Sequence, residues 1–331
     1  MINEPAVGIV LIGRNLGALL DETLDAALNQ NAPVVYVDSG STDSSIKRAR
    51  ARNVQVIALD TAKPYTAARA RNAGAEFLLN QNPLLEFFQF VDGDCLLAEN
   101  FIARALQVMN ADSNISIVCG QRQERFPQTS IYNQLAALEW ETPSGEIAHC
   151  GGDALVRVRA FLQVSGYDAD LIAGEEPEMC LRLRRAGWKI WSIDEDMTHH
   201  DGQMKHFSQW WRRNVRAGHA YAEGAWMHGR ARERHWVRES ASIWIWGAGV
   251  WSVALGLAKF SHGLSLGMIL GYPMLAARIY THSKKRGWST HNAQLYASSC
   301  VVGKFPQLQG QLLFLANRAR GRVTGLLEYS K

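Results

Sequence analysis

The first hundred residues alternate short apolar runs with helical stretches, and this rhythm constrains the fold more than any other feature of the chain. The apolar runs are Val7–Ile12, Val34–Asp38, Val54–Leu59 and Phe87–Val91. Between them lie the helix-like stretches Leu19–Leu28, Ser44–Arg52 and Ala67–Leu79. Such alternation reads as βαβ units, hence an α/β chain with a Rossmann-like, doubly wound, mostly parallel sheet and flanking helices. Sheets of this kind bind ligands outside the carboxyl ends of their strands. The polar residues just after each run are therefore the first to consider: Gly13-Arg14-Asn15, Asp38-Ser39-Gly40-Ser41 and Asp92-Gly93-Asp94.

A chain of 331 residues suits one sizeable α/β core plus an appendage. The formal net charge of +4 conceals an asymmetry. Residues 1–200 hold 17 Lys+Arg against 26 Asp+Glu, whereas residues 201–331 hold 18 against 5. An acidic half is thus joined to a basic one, which is expected to meet something anionic. Eight of the 11 Trp lie beyond residue 200, as an interface with lipid headgroups favours. A nucleic-acid partner is not expected, because the basic residues border apolar runs instead of forming a polar stripe. The five Cys include no C-x-x-C pair, which argues against a disulfide framework and a zinc site and implies a reducing compartment. Met1–Pro5 lead straight into the first run without the basic and apolar regions of a secretory signal, so the acidic half is expected in the cytoplasm.

Composition changes near residue 200. Ser240–Ala258 carries no formal charge, Lys259 interrupts, and Phe260–Ala277 is again uncharged. Each run approaches the roughly 20 residues that a helix needs to cross a bilayer, so two short transmembrane helices or a re-entrant hairpin both fit. A buried helical hairpin in a soluble domain is the third option. Arg230, Arg232, Arg234 and Arg238 precede the pair, and Arg278, Lys284, Lys285 and Arg286 follow it. With both ends basic, a hairpin would keep both on the cytoplasmic side and its turn, Lys259–Gly263, on the other.

Asp92 and Asp94 emerge from the end of the run Phe87–Val91 with only a glycine between them. Two carboxylates so placed suit a hard divalent cation that keeps positions open for phosphate oxygens. Alone, an Asp-x-Asp is also what a surface turn looks like. The surrounding order is more specific. Val37-Asp38-Ser39-Gly40-Ser41-Thr42-Asp43 is followed by Ala70-Arg71-Asn72-Ala73-Gly74 and then by Val91-Asp92-Gly93-Asp94. Further on comes Gly174-Glu175-Glu176-Pro177-Glu178-Met179-Cys180-Leu181-Arg182, continuing to Gly187-Trp188. These four ordered motifs resemble the family-2 glycosyltransferases of GT-A fold, over about residues 5–215. The family usually carries Glu-Asp where this chain has Glu175-Glu176.

The resemblance implies roles residue by residue. Asp38 would accept a hydrogen bond from the donor base, and Arg71 would lie by that base or the diphosphate. Gly13 and Asn15 would border the donor, and Gly152, in the segment Gly151-Gly152-Asp153, would admit the sugar. Asp94 would ligate the metal, Mn²⁺ or Mg²⁺, with Asp92 beside it or facing the ribose or the sugar. His200, or His199, would complete the metal shell or touch the diphosphate. Glu176 would be the general base, with Glu175 as the fallback. At an unperturbed pKa of about 4.3 such a carboxylate is already ionised at neutral pH.

The expectation is therefore a GT-A catalytic domain over residues 1–215. A basic, Trp-rich helical region follows over 216–331, with an apolar hairpin at 240–280 and a C-terminal amphipathic segment. The resemblance implies an inverting transfer of a sugar from a nucleotide-sugar, a UDP-sugar first among UDP, GDP and TDP donors, to a lipid-linked or glycan acceptor. The hairpin adds the membrane as a partner and places the protein at the cell inner membrane. A sugar-phosphate nucleotidylyltransferase would share the sheet but needs a Gly-rich loop after the first strand, for which Gly13–Gly17 is too short. Loss of one motif would favour a non-catalytic membrane scaffold or sugar-binding module that keeps the fold, and all four are present.

Overall fold

The computed structural model describes residues 6–321. Met1–Pro5, the expected leaderless start, and 322–331, the end of the expected C-terminal segment, lie outside the described residues. The chain divides into two compact units, one of residues 1–126 with 140–202 and one of residues 127–139 with 203–331.

The first unit runs β1 (Val7–Gly13), α1 (Leu19–Leu28), β2 (Val34–Asp38), α2 (Ser45–Ala51), β3 (Gln55–Ala58), α3 (Ala67–Gln81), β4 (Phe87–Asp92), β5 (Cys95–Leu97), α4 (Phe101–Ala111) and β6 (Ile115–Glu124). After α5 (Ile131–Trp140), nearly all of which belongs to the second unit, it resumes with β7 (Gly145–Ile147), β8 (Ala154–Arg157), α6 (Val158–Gln163), α7 (Glu175–Arg185) and β9 (Lys189–His200). All nine strands form one sheet in the order β3-β2-β1-β4-β8-β6-β9-β5, with β7 pairing β9 off this path.

The expected parallel sheet holds for β3-β2-β1-β4 and fails beyond it. β8 inserts antiparallel between β4 and β6, and β5 and β7 both run antiparallel to β9. The sheet is mixed. Apolar runs signal burial but not direction, and the antiparallel strands are short pieces of three or four residues.

Successive side chains of a strand point to opposite faces. On β4, Phe88, Phe90 and Asp92 therefore share one face. Phe88 and Phe90 pack against Phe161 of α6 with ring centroids 5.5 and 5.7 Å away, and Tyr167 meets Phe90 at 5.5 Å. Aromatic pairs of this geometry add about 0.5–1.5 kcal/mol each beyond their area burial. This apolar floor ends at Asp92 and thereby fixes where the carboxylate stands.

The second unit contains α8 (Phe207–His228), α9 (Val237–Trp244), α10 (Val250–Gly256), α11 (Gly271–Lys285), α12 (Thr290–Val302) and α13 (Lys304–Ala319). The boundary falls at Gly202/Gln203, not at the expected 215, because 215 lies inside the continuous helix α8. Residues 127–139 also join this unit, a return of the chain that local pattern does not announce.

Among the described residues, no helix is long and apolar enough to cross a membrane, which does not match the first of the arrangements considered for the two uncharged runs, a pair of short transmembrane helices. The first uncharged run continues from α9 through a π-helical turn, Ile245–Gly249, into α10, and ends at Gly256. The second begins in a turn, passes through the 3₁₀ segment Leu264–Leu270, and is taken up by α11, whose last turn carries His282, Lys284 and Lys285. Each run thus changes helix type along its length instead of forming one regular α-helix.

Candidate active site

The carboxyl ends of β1, β2 and β4 lie side by side, with Gly13 paired to Asp38 and Ile12 to Asp92. The loops after β1 and β2 are tied together there. Asn15 accepts a hydrogen bond from the Thr42 N–H at 2.8 Å, and its own N–H donates to Ser41 Oγ at 2.9 Å. Gly13 ends β1 tightly against Leu16, whose Cδ1 is 2.3 Å from where a Cβ would stand. Asp38 is fully buried and accepts from the Ser41 N–H, Ser41 Oγ and Tyr36 Oη at 2.7, 2.5 and 3.0 Å. Its carboxylate is engaged by its own turn, and burial together with the Asp38 charge pushes the Tyr36 hydroxyl far up.

Arg71 is the hub. The residue is 1% exposed, and its guanidinium stands over the Tyr167 ring at 5.4 Å. Nη2 donates to Asp92 Oδ1 at 2.7 Å, and Nη1 reaches Glu175 Oε1 at 3.0 Å and Glu176 Oε1 at 3.1 Å. The arginine expected beside a base or diphosphate is thus taken up by three carboxylates. Gly152 makes this possible, for a Cβ there would stand 2.1 Å from Arg71 Nη2 and 2.9 Å from Asp92 Oδ2. A small residue was expected on the sugar's account, and the structure shows the guanidinium to be what needs the space.

Asp92 is held from a second side by Arg122, whose Nη2 is 3.4 Å from Oδ2 and 2.6 Å from Asp153 Oδ2. Buried Asp153 also accepts from the Asp92 N–H and Thr198 Oγ1, both at 2.8 Å. Burial alone would raise the Asp92 pKa, but the two arginines outweigh it and hold it near about 2.

Glu175 and Glu176 open α7, which starts at Gly174 with φ +82°, a conformation that glycine adopts without strain. Glu175 is buried, while the Glu176 side chain keeps 18% of its exposure. Burial and the neighbouring Glu175 charge raise the Glu176 pKa to about 7, against the lowering pull of Arg71. The ordinary carboxylate value expected from the sequence is therefore wrong for this residue: near neutrality it is split between its two forms.

Asp94 lies apart from Asp92. Its Oδ2 is 3.4 Å from His200 Nε2, and Asp94, Cys95 and His200 form the one cluster of metal-ligand type among the described residues. Asp92 does not join it, nor does His199. A carboxylate oxygen and an imidazole nitrogen suit a manganese or magnesium ion, and Asp94 keeps 40% of its exposure, which leaves room for oxygens from elsewhere. Burial pushes the Cys95 thiol up, so its sulfur stays protonated and donates weakly toward Asp94 at 3.7 Å. The donor set therefore fits the expected ion through Asp94 and His200. Burial would lower the His200 pKa, yet Asp94 and Glu124 outweigh that and raise it to about 9.

Four contributors were not anticipated: Arg122, Glu124, Trp140 and Tyr167. Arg122 and Glu124 follow the apolar run Ile115–Cys119 at the carboxyl end of β6, so the rule applied to the first strands would have found them. Trp140 and Tyr167 lie in no strand and give no local signal.

Residues 9–157 match the family model for glycosyl transferase family 2. Over 189 residues the chain is 28% identical to the succinoglycan biosynthesis protein ExoA of Rhizobium meliloti, covering 55% of this chain and 57% of that one. Over 212 residues it is 22% identical to the O-antigen chain rhamnosyltransferase RfbN of Salmonella typhimurium, covering 59% and 66%. Both matches thus span less than two thirds of the relative's length. A mannosyltransferase, PcManGT from Pyrobaculum calidifontis, solved with GDP-Man and Mn²⁺, superposes with a TM-score of 0.59 at 18% identity, covering 96% of this chain and 89% of that one. S. aureus TarS 1–349 superposes at 0.51 and 13% identity, covering 96% and 92%. At those identities the two structures share a fold with this chain and no more. Glu175, Glu176 and His200 lie beyond the family match and rest on geometry. The matched segment, which carries three of the four ordered motifs on the first strands of the mixed sheet, is similar to glycosyl transferase family 2.

Proposed function

We propose that the protein is an inverting, metal-dependent glycosyltransferase that moves a sugar from a nucleotide-sugar to the hydroxyl of a polysaccharide or lipid-linked acceptor. The observation that carries the reading is the ring of acidic groups at the sheet's carboxyl edge. It holds one carboxylate of pKa about 7, Glu176, beside a separate Asp94–His200 pair. The relatives named for succinoglycan and O-antigen chains support a glycan acceptor. The GDP-Man and Mn²⁺ of PcManGT support the donor class and the ion, while UDP-, GDP- and TDP-sugars all stay in play.

In this mechanism Asp94 and His200 would hold the ion. Bound there, Mn²⁺ or Mg²⁺ would neutralise charge on the departing diphosphate. Glu176 accepts the proton of the acceptor hydroxyl as its oxygen bonds to C1, and the bond from C1 to the diphosphate oxygen breaks with its electron pair leaving on the nucleotide. Arg71 holds Glu175, Glu176 and Asp92 at fixed distances, and Gly13, Asn15 and Asp38 shape the loops that border the donor. Calorimetric titration of a nucleoside diphosphate tests the donor site: affinity is expected with Mn²⁺ and lost in excess chelator. Equal binding in both conditions would contradict it.

A base of pKa about 7 must be ionised to work, so kcat/KM is expected to rise with pH through about 7. Glu175→Gln removes a like charge that helps raise the Glu176 pKa, and should move this ascending limb down by roughly one pH unit. A limb that stays in place or moves up would show that another group titrates.

The membrane is proposed as a surface partner in place of the spanning arrangement. Phe260, Leu264, Leu270 and Met274 are 80%, 84%, 66% and 71% exposed on a segment followed by Arg278, Lys284, Lys285 and Arg286. Exposed apolar side chains beside cations suit insertion into the headgroup region of an anionic bilayer, here the cell inner membrane with the catalytic unit on the cytoplasmic face. The protein is expected to float with vesicles containing anionic lipid and to be released by alkaline carbonate. Failure to float would remove the membrane from the account.

A further inference from the structure

We propose that Glu124 is a positioning residue that fixes the His200 ring so that Nε2 faces Asp94 for a divalent cation. The inference rests on the metal reading above and concerns a residue outside the family's acidic motifs. β6 and β9 run parallel and place Glu124 level with His200 at their carboxyl ends. The Glu124 carboxylate is fully buried, with Oε2 3.2 Å from His200 Nδ1. It also accepts from the Gly202 N–H at 3.1 Å and from the Phe126 N–H at 3.2 Å.

A carboxylate receiving two backbone N–H groups offers only acceptors toward the ring. Nδ1 must then carry a hydrogen and donate it to Glu124, and the nitrogen left to exchange a proton for a cation is Nε2, the one beside Asp94 at 3.4 Å. The ring is also held by its surroundings. Trp140 meets it edge to face with centroids 4.7 Å apart, and Trp140 in turn lies under the Arg122 guanidinium at 5.4 Å. The backbone around the pair is pinned too: the Arg125 N–H donates to the His200 carbonyl at 2.8 Å, and the Asp201 N–H donates to the Asp94 carbonyl at 3.0 Å. Glu124 and Asp94 thus grip one imidazole from its two nitrogens, Nδ1 anchored on a buried carboxylate and Nε2 beside Asp94, which keeps 40% of its exposure. A carboxylate behind a metal-binding histidine sets its tautomer and strengthens it as a ligand, and its loss typically costs about 10–100-fold in metal affinity.

The test is Mn²⁺ binding to the donor-free protein, followed by the electron paramagnetic resonance signal of free Mn²⁺ and so independent of turnover. Glu124→Gln is expected to weaken binding about 10–100-fold. In a His200→Ala background the same change should have almost no effect, because Glu124 acts through that ring. Wild-type affinity of Glu124→Gln, or an equal loss in both backgrounds, would overturn the proposal. Should Glu124→Gln fail to give the wild-type circular dichroism spectrum, Glu124→Asp keeps the charge and is read in the same cycle, with an intermediate affinity expected. Asp94→Asn and His200→Ala separate the two levels of the account. If neither weakens Mn²⁺ binding, the metal reading falls and Glu124 with it. If both do while Glu124→Gln does not, only the role of Glu124 is lost.

Discussion

Glu176→Gln is expected to lower turnover about 10²–10⁴-fold, the range that a placed proton acceptor contributes. The substitution keeps the shape of the side chain and removes its charge, and with it the ability to take a proton and the ion pair with Arg71. Its Oε1 neighbour, Arg71, retains Asp92 and Glu175 at 2.7 and 3.0 Å, so the hub should survive. Donor affinity should therefore stay near wild type, and the loss should appear in kcat. Glu176→Asp restores the residue usual in the family and should keep substantial activity if the acceptor can approach the shorter side chain. Full activity of Glu176→Gln with a dead Glu175→Gln would transfer the role to Glu175, although that carboxylate is buried and already committed to Arg71. If both variants transferred sugar at the wild-type rate, neither would be the base.

Asp94→Asn is expected to cost about 10³-fold or more in Mn²⁺-dependent turnover, since cation stabilisation of a developing charge is worth several kcal/mol and each 1.36 kcal/mol is about tenfold. The amide cannot supply the anionic oxygen that now faces His200 Nε2 at 3.4 Å. Asp92→Asn is a different experiment despite the shared motif. Asp92 is bound by Arg71 and Arg122, so its loss should disorder the hub instead of lowering metal affinity directly. Undiminished activity of Asp94→Asn, or of wild type in excess chelator, would contradict the assignment.

The sequence made β1, β2, β3 and β4 legible, together with the polar residues at their ends, because apolar runs and turn residues are local signals. Direction is not local, so the antiparallel insertion of β8 was missed. The pattern Asp-Gly-Asp suggested a pair of carboxylates acting together but not their division, in which Asp92 turns to the arginines and Asp94 to His200. That division depends on Arg122 and Glu124, which arrive from β6 some 30 residues later. The raised pKa of Glu176 was likewise invisible, since it arises from burial and from Glu175 once α7 is packed. Arg71 and Gly152 were each given a separate role toward the donor, and their mutual contact needs the strand order that brings residues 71 and 152 together. The uncharged runs suggested short spanning helices or a hairpin because charge counts do not show the turn and the change of helix type to π and 3₁₀ within them.

The central claim is a single displacement assisted by one carboxylate. It is tested most directly by following the anomeric proton during turnover of a nucleotide-sugar by the purified protein with Mn²⁺. The account predicts that the sugar first appears on its acceptor, or on water, with the anomeric configuration opposite to that in the donor, and that Glu176→Gln slows this step. A first product of retained configuration, or no turnover of any nucleotide-sugar, would contradict it.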